Sequence, residues 1–121
     1  MIHFHGSDDE HAPFKGGKGK GVSGTEFYSV DHSIQTWVKA NECKAVPVVT
    51  TIPDQAKDGT TITRKTYGSG KEGTEVVLVE IHGGGHTWPG QQPRLQFLGK
   101  STKNISANDL MWDFFVKHPM K

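Results

Sequence analysis

A chain of 121 residues fits one domain spanning residues 1–121 and leaves no room for a second. Its 14 basic and 13 acidic side chains leave a formal charge of +1, so charge alone points to no nucleic acid, no membrane and no acidic substrate. Apolar residues make up only 33%, but counting the 15 glycines with them brings the total near that of ordinary globular chains, which excludes disorder as the default.

The chain opens on Ile2-His3-Phe4-His5, an alternating run ended by Gly6 that reads as a short strand. These first residues lack the basic and apolar regions of a signal peptide, and no apolar run approaches the roughly 18 residues of a bilayer span. Localisation therefore stays open. Gly16 to Gly24, glycine- and lysine-rich, reads as a mobile loop without the spacing of a phosphate-binding loop. Ser29 then caps a helix expected from Val30 to Asn41, with Val30, Ile34, Trp37 and Val38 on one apolar face. Cys43 has no cysteine to pair with in the chain and reads as a partly buried apolar side chain.

Ala45 to Ile52 is rich in valine and threonine, but Pro47 and the following Pro53 confine it to an edge strand or extended connection. Asp58-Gly59 marks a turn. Thr60 to Tyr67 and Thr74 to His82 are β-prone runs joined across Gly68 to Gly73, which predicts a hairpin with a loose loop. Val76 to Val79 is continuously apolar, as expected of a strand covered on both faces. Ser106 caps a last helix, Ala107 to Lys117, with Leu110, Met111, Phe114 and Phe115 as its buried stripe. Strand, helix, hairpin, helix describes an α/β layered domain with few strands for a sheet buried on both sides.

Chemistry concentrates in two loops at strand C-terminal ends, where open α/β sheets place their sites. They are His5-Gly6-Ser7-Asp8-Asp9-Glu10-His11 and Gly83-Gly84-Gly85-His86-Thr87-Trp88-Pro89-Gly90. A carboxylate from the first accepting the ring N–H of a histidine from the second would supply the acid and base of a hydrolytic triad. The competing reading is a metal-dependent hydrolase using His3, His5, Asp9, His11, His82 and His86. Zinc favours such nitrogen and carboxylate donors, although Ser7 stands where metal hydrolases of this type carry an aspartate.

These residues resemble the C-terminal portion of α/β-hydrolase serine esterases related to polyhydroxybutyrate depolymerases and feruloyl esterases. His5-Gly6-Ser7-Asp8-Asp9 is similar to the segment bearing the family's acid, and Gly83 to Gly90 is similar to the segment bearing its base. The resemblance implies Asp9 as triad acid, His86 as base, no cofactor, and a partial α/β-hydrolase sheet. The Trp37 helix with Asn41-Glu42-Cys43, and the Met111-Trp112-Asp113-Phe114-Phe115 helix, resemble the family in order and spacing.

The family's nucleophile lies in a Gly-x-Ser-x-Gly elbow, and these 121 residues contain none; Gly21-Val22-Ser23-Gly24-Thr25 lacks the last glycine. Relatives are often secreted and pair the cysteine after the Trp helix, but no partner cysteine stands near Tyr67 to Gly70. The expectation is a truncated or split carboxylic-ester hydrolase, inactive alone and acting on an ester only when complemented by an N-terminal part. An open sheet edge at Ile2 to His5 would favour a homo-oligomer. A repurposed binding or structural module is the alternative that would share this silence in an assay.

Overall fold

The computed structural model describes residues 1–120. In chain order the elements are β1 (Ile2–Gly6), β2 (Gly17–Lys18), β3 (Glu26–Phe27), α1 (Val30–Ala40), β4 (Val48–Ile52), β5 (Thr61–Tyr67), β6 (Val76–His82) and α2 (Ala107–Lys117). They form a small mixed α/β domain. The main sheet runs β1-β6-β5-β4, with β1 parallel to β6 and the other two pairings antiparallel.

The uninterrupted apolar run of β6 explains its central place, because both of its faces are covered. Side chains alternate across a strand. Val77, Val79 and Ile81 therefore pack with Ile62 against Phe114 of α2, while Val76 and Leu78 pack with Tyr67 against Val30, Ile34 and Val38 of α1. Each helix starts on a serine whose hydroxyl accepts a backbone N–H one turn on: Ser29 from His32 and Ser106 from Asp109. The apolar stripes are narrower than expected from spacing. Trp37 and Phe115 are about half exposed, and Leu110 and Met111 are only partly buried, because a four-stranded sheet is too small to cover a wide helix face.

Local differences have local causes. β4 begins at Val48, just after Pro47, which has no N–H to give to a ladder. The segment 16–24 is not simply a loop, since Gly17–Lys18 pairs antiparallel with Glu26–Phe27. The connection before β6 is not loose either. Lys71 N donates to Asn41 O at 2.9 Å, and Lys44 N donates to Gly68 O at 2.9 Å, which docks the turn on the end of α1. Helix α1 ends at Ala40 with Asn41 as its cap. No helix among the described residues is long and apolar enough to cross a membrane.

Candidate functional site

Because β1 and β6 are parallel neighbours, their C-terminal ends emerge side by side and the loops that follow share one edge of the sheet. Backbone bonds stitch these loops together. Ser7 N donates to Ile81 O and Asp8 N to Gly84 O, both at 2.9 Å, and Gly83 N donates to Ser7 Oγ at 2.9 Å. This approach requires glycine at position 6. A Cβ there would fall on the Gly84 carbonyl and lie 2.6 Å from the Gly85 oxygen. Gly85 is equally confined, since a Cβ on it would meet the Leu98 carbonyl and the Gly99 Cα.

Across this seam His86 Nδ1 donates to Asp9 Oδ2 at 2.9 Å. Asp9 is only 8% exposed. Its other oxygen, Oδ1, accepts backbone N–H groups from His11 at 2.9 Å and Ala12 at 2.8 Å. Burial alone would raise the Asp9 pKa, but the Ala12 N–H, the hydrogen bond and charge of His86, and the His11 N–H together outweigh it and hold the carboxyl below its ordinary range. Asp9 is therefore an ionised, fully engaged acceptor. Holding the proton on Nδ1 leaves Nε2 of His86 as the ring's lone-pair nitrogen, on a side chain about half exposed. That is the tautomer a general base needs.

Beside the pair lies a cleft of about 450 Å³ whose lining includes Phe4, Asp9, Gly85, His86, Trp88 and Leu98. Its far wall is a strap, residues 98–102, that grips the histidine loop. Gly85 N donates to Lys100 O at 2.9 Å, His86 N to Leu98 O at 2.7 Å and Gly90 N to Thr102 O at 2.9 Å. Ser101 Oγ adds a bond to Trp88 O at 2.9 Å. The strap is anchored by a polar knot at the start of β5, beside the end of β6. Asp58 Oδ2 accepts Lys103 N at 2.7 Å, and the Thr60 hydroxyl lies 2.6 Å from both Asp58 Oδ1 and Thr102 Oγ1. Asn104 Nδ2 donates to Asp54 Oδ1 at 3.1 Å and Thr60 O at 3.0 Å. Desolvation raises the Asp58 pKa, but donors from Thr60 and Lys103 N–H overcome it and hold the carboxyl at about 2.

Of the six residues of the metal reading, His82 stands apart, and the bonds of His3, His5, Asp9 and His86 run to one another or to backbone. His82 bonds Thr63 Oγ1 at 2.8 Å, beside Glu80 and away from the seam. His5 has both ring nitrogens engaged, one with His3 and one with the Ala12 carbonyl. His11 stands beside His86, ring centroids 5.3 Å apart. Among the described residues no three His, Cys, Asp or Glu side chains converge as a metal-ligand set, which corrects that expectation. Neither Ser7 nor Ser23 is bonded to His86: Ser7 Oγ accepts from Gly83 N, and Ser23 Oγ pairs with Thr25 Oγ1. The strap and its knot were missed from sequence; Asp58-Gly59 signalled a turn but not the distant Lys103 and Asn104 that complete it.

No known protein-family model matches the chain. Over 66 residues, 53% of this chain, it is 36% identical to NocK of Nocardia uniformis subsp. tsuyamanensis, a protein provisionally named an esterase. The matched stretch amounts to 19% of NocK. This distant and partial likeness supports a hydrolase-like, esterase relationship and nothing narrower.

Proposed function

We propose that these residues are the acid-and-base portion of a serine carboxylic-ester hydrolase of the polyhydroxybutyrate depolymerase and feruloyl esterase kind. On this reading they form a partial α/β-hydrolase sheet from the acid strand onward. The single observation carrying the reading is the 2.9 Å bond between His86 Nδ1 and Asp9 Oδ2, joining the two segments that resemble the family. The likeness to an esterase supports it at the level of reaction class.

In the proposed reaction a serine hydroxyl, supplied by a segment outside these 121 residues, attacks an ester carbonyl. His86 Nε2 takes the hydroxyl proton and returns it to the leaving alcohol. Asp9 keeps the ring oriented and stabilises the imidazolium while it exists. Water then repeats the sequence on the acyl-serine. With no nucleophile elbow in the 121 residues, the pair alone has orientation without acyl-transfer power, and oxyanion donors would come with the segment that brings the serine. The exposed flank of β1 is proposed to pair with another strand, from an N-terminal part or from a second copy of the chain.

The test is hydrolysis of p-nitrophenyl esters by the 121-residue chain and by the chain extended with its in-frame upstream coding sequence. The expected result is silence from the first. The second should show turnover that a serine-reactive phosphonate abolishes and His86→Ala removes. Phosphonate-sensitive turnover by the 121 residues alone, or an upstream sequence without a Gly-x-Ser-x-Gly elbow, would overturn the proposal.

A further inference from the structure

His5 sits one residue before the close-approach glycine, on the face of β1 that looks toward α1. Its side chain is only 13% exposed and lies edge-on to Phe14, ring centroids 5.7 Å apart. Both of its nitrogens have partners whose chemistry fixes the ring. Nε2 lies 2.7 Å from the Ala12 carbonyl oxygen, which can only accept, so Nε2 carries a proton. Nδ1 of the neutral ring is then an acceptor, and His3 Nε2 donates to it at 3.0 Å. Burial, and then the charge of a protonated His5, depress the His3 pKa, and the two rings stack with centroids 5.3 Å apart.

Ala12, whose carbonyl His5 holds, is also the residue whose N–H closes the turn around the acid. Ala12 N donates to Asp9 Oδ1 at 2.8 Å, while Ala12 O accepts from His5. His5 Nε2 also stands 3.6 Å from Asp9 Oδ2, the oxygen that receives His86. This distance is too long for a hydrogen bond, so His5 spends its N–H on Ala12 and leaves Oδ2 to His86.

We propose that His5 is a positioning residue: donating to the Ala12 carbonyl, in a tautomer set by His3, it clamps the Asp9 turn so that Oδ2 faces His86 and fixes the proton of His86 on Nδ1. The inference rests on the reading of Asp9 and His86 as acid and base, but its readout needs no nucleophile. The alternative metal reading had grouped His3 and His5 as ligands. Their bonding gives them work on the acid loop instead.

The experiment is long-range ¹H–¹⁵N NMR of the histidine rings in the 121-residue chain, comparing the wild type with His5→Leu and His5→Gln. Leucine removes the donor; glutamine places an amide N–H near the position of Nε2. The expected pattern is a single Nδ1–H form of His86 in the wild type, loss of that single form to a tautomer mixture in His5→Leu, and its return in His5→Gln. A folded His5→Leu chain that keeps the single form, or a His5→Gln chain that loses it, overturns the proposal. If His5→Leu does not fold, His5→Gln decides alone: a retained single form supports the clamp and a mixture refutes it. Lack of ester hydrolysis in a longer chain would defeat the esterase reading without altering this pattern.

Discussion

An alanine at position 6 should uncouple the acid loop from the histidine loop. Its added methyl would meet backbone atoms, the carbonyls of Gly84 and Gly85, so no side-chain rotation can relieve the contact. Ordinary contact begins at 3.4 Å, whereas the Gly85 oxygen would lie at 2.6 Å, so that atom must retreat by the difference, about 0.8 Å. His86 is the next residue. If its ring followed, the 2.9 Å bond to Asp9 would open to about 3.7 Å, beyond hydrogen-bond range. Overpacking costs about 1–3 kcal/mol, and losing part of a charge-assisted bond worth about 1.5–3 kcal/mol adds to it. Gly6→Ala should therefore lower stability in urea by about 2–4 kcal/mol and abolish the single Nδ1–H signature of His86 in ¹⁵N spectra. Stability within about 0.5 kcal/mol of wild type together with an unchanged His86 signature would refute the reasoning, because the loops would then have slack at the seam.

Two further outcomes test the scaffold. Asp58→Asn should weaken the knot that holds the strap: the folded Asp58 pKa of about 2 lies below its ordinary 3.8, so its contribution is complete above the ordinary value and fades as pH falls toward 2. Urea titrations should show a gap between wild type and Asp58→Asn at pH 7 that closes between about pH 4 and pH 2, and a gap constant with pH would count against the assignment. Ile34→Ala, at a side chain 1% exposed between α1 and the sheet, should cost about 2–5 kcal/mol, whereas Val49→Ala on the exposed edge strand should cost under about 0.5 kcal/mol; equal effects would contradict the two-faced core.

What the sequence made legible was whatever depends on neighbours along the chain. The serine caps, the apolar run of β6 and the two loops carrying Asp9 and His86 all follow from local pattern, and apart from the small β2–β3 pair each element sits within a few residues of its expected bounds. The choice of Asp9 over Asp8 came from the resemblance. In the fold Asp9 turns inward to His86, while Asp8 is exposed beside Ser7. What depends on distant partners was illegible. Nothing near Leu98 or Lys100 announces that their carbonyls would accept the amides of His86 and Gly85. The histidines left a metal alternative open for the same reason: type and spacing are local, but whether a ring nitrogen is spent on a carbonyl or free for a metal is decided by the residue it meets.

The pairing of β1 with β6 also dictates when the candidate site comes into being. Ile2 meets Val77 and Gly6 meets Ile81, whereas β4, β5 and β6 follow one another in a simple meander. Closing so long an interval costs chain entropy that grows roughly as (3/2)RT ln n, and non-local parallel contacts are slow to repay it. The meander is thus expected to gather first and β1 to dock late, bringing Asp9 to a histidine loop already in place. Unfolding retraces that order, so release of one five-residue strand parts Asp9 from His86 while β4, β5 and β6 stay paired. Amide exchange along β1 should consequently be faster than along β6, with the acid–base contact lasting only as long as that edge strand remains docked.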